Sequence, residues 1–211
     1  MPDTRTAVPT GVILVIRTHD ATEAIAAAEA AMSAGIDAVE ITLTVPGAAE
    51  VIAALAGRGT PVGVGTVLDA SDVAPAVRAG ATFVVAPDTD EQVIRAAHEN
   101  NVAVVPGALT PTEVQRAHKS GADAVKLFPA RSVGGPGYLA ELRGPLPHIP
   151  FVISGGVTAE TAPEYFAAGA VAVCVGIRMF DPATLAARDH AGLVAEATAF
   201  LDTARQRQPV G

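Results

Sequence analysis

Lysine is scarce in this chain, two residues against twelve arginines, and one of the two lies inside an apolar run, D-A-V-K-L-F-P-A at 123–130. A charged amine is costly in such a setting, so Lys126 is a surface residue, half of a structural ion pair, or a reagent. A second charge, Glu40, is embedded in the same way in A-V-E-I-T-L at 38–43. A lysine in a desolvated pocket loses part of its preference for the ammonium form, which frees the neutral amine as a nucleophile. A nearby carboxylate opposes that shift while ionised, and its natural task is moving protons, directly or through a water. Together the two groups are equipment for Schiff-base chemistry on a carbonyl. The amine condenses with a ketone, and the iminium withdraws electrons from the adjacent C–C or C–H bond. Aldol cleavage, aldol condensation and enolisation all fit, and none requires a bound metal.

Other residues could hold what those two act on. The stretch F-V-I-S-G-G-V-T-A-E-T supplies Ser154, Gly155 and Gly156 at the end of an apolar run, followed by Thr158 as a candidate helix cap. Two glycines let backbone N–H groups approach an anion, and a helix N-terminus adds its dipole; the same pair also reads as a bare turn. Arg178, in V-G-I-R-M-F, is either a bidentate grip on phosphate or carboxylate or a solvated surface charge. Arg17 ends the first apolar run and Thr66 follows the third, so either could bind a carboxylate; for Arg17 an exposed charge at a helix start is the alternative. Pro87 and Phe128 are either plain core or a shield over the amine.

The elements that must position these groups are short and regular. Apolar runs at 12–16, 38–43, 61–65, 82–86, 102–106, 124–128, 151–154 and 171–176 alternate with Ala-rich amphipathic stretches such as 21–35 and 89–101. Asp20 with Glu23 marks a helix start and Gly35 a stop. Strand and helix alternating at this spacing predict a parallel sheet, and eight units in about 200 residues predict a (β/α)8 TIM barrel. A doubly wound open sheet is the other possibility, but no G-x-G-x-x-G opens a helix after a strand. One domain over 11–211, after a short disordered lead-in over 1–10, is the expected organisation.

Four helix-to-strand joints repeat one another, and each begins at a glycine: Gly35, Gly80, Gly121 and Gly169. The fourth residue on is always valine (39, 84, 125, 173) and the sixth aliphatic (Ile41, Ala86, Leu127, Val175). Side chains alternate along a strand, so this uniform set should face the helices and the residues between should point into the barrel. Alternate strands fill a barrel in shared layers of four side chains. The predicted layers are Ala38, Phe83, Ala124 and Ala172; then Glu40, Val85, Lys126 and Cys174; then Thr42, Pro87, Phe128 and Gly176. Glu40 and Lys126 thus share a layer from opposite sides. A structural pair that fixes register is the bland reading. Barrel interiors are filled by branched aliphatics, so two charges in one layer favour the functional reading.

Composition removes other classes. The chain is 211 residues, half apolar, with net charge −8. It carries no basic cluster, which argues against nucleic acid or an anionic membrane surface as partners. No stretch approaches the roughly 20 apolar residues of a spanning helix, and the start lacks a signal-peptide core. The single Cys174 excludes an internal disulfide and suits a reducing cytoplasm. The histidines at 19, 98, 118, 148 and 190 show no ligand spacing, so no metal site is expected.

Taken in order, E-I-T-L-T-V-P-G-A (40–48), V-G-V-G-T-V-L-D (62–69), V-V-P-G-A-L-T-P-T-E-V (104–114), V-K-L-F-P-A (125–130) and S-G-G-V-T-A-E (154–160) resemble the 2-keto-3-deoxy-6-phosphogluconate/4-hydroxy-2-oxoglutarate aldolases, over about residues 11–181. The resemblance implies a (β/α)8 barrel, a cytoplasmic homotrimer without cofactor, and class I retro-aldol cleavage in Entner-Doudoroff-type carbohydrate metabolism. The products implied are pyruvate and an aldehyde, glyceraldehyde 3-phosphate or glyoxylate. It places the family's Schiff-base lysine on Lys126 and its proton-transferring glutamate on Glu40. The carboxylate-binding threonine falls on Thr66, the pocket proline and aromatic on Pro87 and Phe128, and the phosphate-binding turn on Ser154, Gly155 and Gly156. Three positions depart from the family pattern. Thr44 stands where many members carry a carboxylate-binding arginine, although some relatives acting on the galactonate epimer also lack it. Asp88 replaces a glycine. Gly176-Ile177-Arg178 stands where Gly-Gly-Ser is usual, so Arg178 either binds phosphate differently or favours a substrate ending in carboxylate. Two alternatives stay open: a phosphate-binding isomerase or epimerase using Lys126 as general base, and a non-catalytic barrel that scaffolds an assembly.

Overall fold

A computed structural model describes residues 5–206. The parallel strands are β1 (Gly11–Ile16), β2 (Ala38–Thr42), β3 (Val62–Gly65), β4 (Phe83–Val85), β5 (Ala103–Val105), β6 (Gly107–Ala108), β7 (Val125–Leu127), β8 (Phe151–Ile153) and β9 (Ala172–Gly176). Each falls within or beside a run marked by apolar residues, with the fifth run divided. Pro106 has no N–H to give to the ladder, so it separates β5 from β6. The first half pairs with β4 (Val85 opposite Val105) and the second with β7 (Gly107 opposite Lys126). With β1 bonded to both β2 and β9, the ring is completed through this one bent run, and the eight-unit barrel is realised as nine short strands.

The helices that surround it are α1 (Ala21–Ser33), α2 (Ala48–Leu55), α3 (Val73–Ala79), α4 (Glu91–Glu99), α5 (Pro111–Lys119), α6 (Pro136–Arg143), α7 (Ala162–Ala167), α8 (Pro182–Ala187) and α9 (His190–Ala204). Their starts follow side-chain capping. The Asp20 carboxylate accepts from the N–H groups of Thr22 and Glu23, Asp90 caps α4, and Thr110 with Glu113 forms a reciprocal box around Pro111. The four repeated glycines all have φ between +83° and +114°, the left-handed region that ends a helix and that glycine enters without a Cβ penalty. That shared conformation is why the four strands start in phase.

The phase separates two cores. Ala38, Phe83, Ala124, Ala172, Val85 and Cys174 form an interior cluster with Ile13, Ala103, Val105 and Val152. Val39, Val84, Val125, Val173, Ile41, Leu127 and Val175 belong to the outer cluster against the helices. Within the barrel, large is set against small: a Cβ on Gly63 would fall 2.3 Å from the Phe83 ring, which occupies that space instead. Of the expected lead-in, residues 1–4 lie outside the described residues, as do 207–211 at the far end of the expected domain. Residues after Arg5 cross the N-terminal face of the barrel. Thr6 donates its N–H to Asn101 O and accepts at Oγ1 from Ala103 N–H, and Val8 packs against the interior cluster. No helix among the described residues is long and apolar enough to cross a membrane.

Candidate active site

Lys126 lies on β7 and Glu40 on β2, both inside the barrel; Lys126 is 6% exposed and Glu40 0%. Cys174 on β9 belongs with Val85 to the interior cluster and lies within electrostatic reach of both charges. Complete burial and then the Glu40 carboxylate push its thiol up to about 12, with Lys126 and a hydrogen bond with Ser154 acting the other way. A thiol held so far above its unfolded value of 9.0 stabilises the fold fully below pH 9, and that contribution is lost as pH rises from 9 towards 12. Cys174→Ala should therefore show a shallower loss of stability across that alkaline window than the unaltered protein, measured by urea unfolding at stepped pH. Equal slopes would contradict the assignment.

The two charges do not neutralise each other by contact. Among the described residues no ion pair within 4.0 Å joins Lys126 to Glu40, and both oxygens of the buried Glu40 carboxylate lack a hydrogen-bond partner. Native proteins rarely leave a buried polar atom so, and the exceptions gather at functional sites. The carboxylate lies against the backbone of β3: a Cβ on Gly65 would come within 1.9 Å of Oε1. The Lys126 ammonium stands 5.3 Å from the centroid of the Phe128 ring, which is 38% exposed at the barrel mouth. A cation over an aromatic face at that distance is attracted to it. Phe128 thus stands at the opening, Pro87 follows the end of β4, and Thr42 is fully buried with its hydroxyl donating to Ile16 O at 3.0 Å.

A polar network runs across the mouth from β1 to β3. Arg17 donates to Thr44 Oγ1 at 3.0 Å and to Thr66 Oγ1 at 2.9 Å, and the hydroxyls of Thr42 and Thr44 lie 2.8 Å apart. Thr66 has φ +59°, which is strained for a β-branched residue, and such strain concentrates at binding sites. Thr44, where a resemblance to the family leads one to expect arginine, is instead the acceptor for an arginine arriving from the neighbouring strand. The sequence marked Arg17 and Thr66 separately; the structure links them.

The other end of the mouth is a cleft of about 810 Å³ whose lining includes Val15, Arg17, Arg131, Gly156, Thr158, Glu160, Gly176 and Arg178. Ser154, Gly155 and Gly156 follow β8 as expected, with Ser154 buried and its carbonyl bonded to Ala130 N–H. Thr158 is not the helix cap. It forms a separate turn, accepting from Ala162 N–H and bonding reciprocally with Thr161, so α7 starts after Thr161 and has six residues. Arg178 sits in a 3-10 turn that follows Gly176, and both line the cleft. Arg131 carries no periodic signal in the sequence, and only the folded loop after β7 brings it here. A groove of about 880 Å³ outside the barrel, between α4 and α5, is lined by Glu91, Arg95, His98, Glu99, Arg116 and Lys119, and contains none of the interior residues.

With that geometry established, comparison with known proteins adds the following. The sequence model of the family "KDPG and KHG aldolase" matches residues 6–195. A 2-dehydro-3-deoxy-phosphogluconate aldolase of Treponema pallidum (strain Nichols) is 34% identical over 87% of this chain and 89% of its own length. A 2-dehydro-3-deoxy-6-phosphogalactonate aldolase of Escherichia coli (strain K12) is 36% identical over 80% of this chain and 83% of its own. Among solved structures, the KDPG aldolase of Legionella pneumophila, with pyruvate captured at low pH as a covalent carbinolamine intermediate, superposes with a TM-score of 0.82 and 25% identity. That match covers 91% of this chain and 94% of the other.

Proposed function

The chain belongs to the KDPG and KHG aldolase family and is a pyruvate-dependent Schiff-base aldolase, a lyase, and from that premise we propose that Lys126 is its amine and Glu40 its acid and base. The observation that carries the assignment is the Glu40 carboxylate, fully buried, without a protein hydrogen bond, inside the same barrel as the only buried lysine among the described residues. A structural pair would be in contact; a reagent pair leaves room between its members for a reacting atom.

In the cleavage direction, Nζ of Lys126 attacks the C2 carbonyl of a 2-keto acid and water leaves, giving the iminium. Glu40 takes the proton of the C4 hydroxyl as the C3–C4 bond breaks, and the bonding electrons pass into the iminium to make an enamine. The aldehyde departs, Glu40 returns the proton to C3, and water releases pyruvate and the free amine. Arg17 and Thr66 hold the substrate carboxylate, the arginine supplying the charge and the strained threonine a hydroxyl and an N–H. Pro87 and Phe128 wall the reacting carbons. Ser154, Gly155, Gly156, Gly176 and Arg178 hold the far end of the substrate. A homotrimer in the cytoplasm, serving Entner-Doudoroff-type carbohydrate breakdown, completes the proposal and rests on the family resemblance.

Incubation with pyruvate followed by borohydride reduction should give a stable pyruvyl adduct that peptide mass spectrometry maps to Lys126. No adduct, or an adduct on Lys119, would end the proposal. Two substitutions test the surroundings. Arg17→Ala should raise KM for pyruvate by about 10- to 100-fold, the effect of losing one charged hydrogen-bonded contact, with a smaller change in kcat. Gly65→Ala should cost about 1–3 kcal/mol of stability through overpacking and should lower kcat as well, because the added methyl displaces the Glu40 carboxylate. Chemical denaturation and initial rates read the two effects separately.

A further inference from the structure

Arg131 is built into the cleft by two loops. It belongs to the 3-10 turn Ala130–Val133 after β7, and that turn is docked on the loop after β8 by two backbone bonds. Ala130 N–H donates to Ser154 O at 2.9 Å and Arg131 N–H to Gly155 O at 3.1 Å. The aliphatic stem then lies on Gly156, where a Cβ would meet Arg131 Cδ at 2.6 Å and Cβ at 2.8 Å. Gly156 thus serves twice, by its φ of +82° and by leaving space for this side chain.

The cleft that Arg131 and Arg178 both line contains a third guanidinium, Arg17, and one carboxylate, Glu160. Arg17 is bonded to Thr44 and Thr66. Glu160 is engaged by the Thr158 hydroxyl, the main cause that holds its carboxyl below the usual range. Among the described residues, the side chain of neither Arg131 nor Arg178 makes a hydrogen bond or an ion pair. Two guanidinia without a protein partner thus line one cleft, and an anion is what would satisfy both.

We propose that Arg131 is a specificity-determining ligand of the acceptor end, closing with Arg178 on the phosphate monoester of a phosphorylated aldehyde; the proposal rests on the aldolase reading. The choice of anion follows from donor arithmetic. A carboxylate is satisfied by one guanidinium in fork geometry, and a second would remain uncompensated. A phosphate monoester offers three terminal oxygens and about 1.5 to 2 negative charges at neutral pH, enough for both guanidinia and for N–H groups of the glycine turn.

Arg131→Met keeps the stem on Gly156 and removes the charge. The measurement is kcat/KM for aldol addition of pyruvate to D-glyceraldehyde 3-phosphate relative to unphosphorylated D-glyceraldehyde. The wild-type preference for the phosphorylated aldehyde should fall by about 10- to 100-fold in the methionine variant, the effect of losing a charge-assisted contact. Arg131→Lys should recover part of it, since a point charge keeps the attraction and loses the fork. Thermal unfolding of both variants checks that the loop is intact. An unchanged ratio in a folded Arg131→Met, or a wild-type preference for glyoxylate or succinic semialdehyde, overturns the proposal. If the wild type traps pyruvate on Lys126 and yet shows no phosphate preference, this proposal alone fails. If it traps no pyruvate, the reading beneath it fails.

Discussion

Replacing Lys126 with methionine is expected to abolish turnover while leaving the protein as stable as before, or more so. The methionine fills most of the volume of the lysine stem between β6 and β8 and removes the charge from a residue that is only 6% exposed. Without the amine no iminium forms, and kcat should fall by on the order of 10⁴-fold or more, as when a covalent nucleophile is deleted. The stability side decides between readings. If Lys126 and Glu40 were a structural ion pair, removing one member would strand the other and cost about 3–5 kcal/mol. The two are not in contact and Glu40 already lacks a protein partner, so no such loss should appear in calorimetry or urea unfolding. Active sites commonly sacrifice stability for chemistry, and a raised unfolding midpoint in an inactive Lys126→Met would be the signature here. A midpoint lowered by the full pair energy, with turnover retained, would return Lys126 to a structural role.

The route by which Lys126 and Glu40 could be read from the sequence explains what else could not. Strand alternation has a period of two residues, so one fixed point per strand sets the direction of every side chain on it. The glycines at 35, 80, 121 and 169 supply that point, because each is in the left-handed conformation three or four residues before its strand. Four such strands therefore gave the interior layers, down to Cys174 beside the two charges. Outside the strands no period operates. The division of the fifth strand at Pro106 depends on which neighbour each half pairs with, which a local run does not encode. Thr158 has the right residue type and position for a cap, but the competing Thr158–Thr161 turn takes the backbone groups first. The Arg17–Thr44 bond joins residues 27 apart, and Arg131 reaches the cleft only because a 3-10 turn docks on Gly155. Gly63 and Gly65 had a signal in hindsight: alternate glycines in a short strand mark close approach of something bulky, here Phe83 and Glu40.

Glu40→Gln separates proton transfer from amine chemistry, and its expected effect is the second largest. Glutamine preserves the shape of the side chain against Gly65 and removes both the charge and the ability to carry a proton between C4 oxygen and C3. Loss of a positioned acid and base should reduce kcat by about 10²- to 10⁴-fold. Lys126 remains, so borohydride should still trap pyruvate, more slowly because loss of water from the carbinolamine also needs a proton. The decisive readout is exchange of the pyruvate methyl protons in D₂O, followed by NMR without any aldehyde present. That exchange requires only the iminium and the group that moves the C3 proton, so it should fall in step with kcat while the trapped adduct persists. Removing an unpartnered buried carboxylate should also raise the unfolding midpoint, since desolvating that charge opposes folding. Glu40→Asp tests geometry in the same experiment: its carboxylate is withdrawn by one methylene towards β2, so exchange should be impaired though the charge is kept. If Glu40→Gln exchanged the methyl protons at the wild-type rate, the proton would have to travel by another route, such as water held at the Arg17–Thr66 end of the mouth. Glu40 would then be a group that orients the amine rather than one that carries the proton.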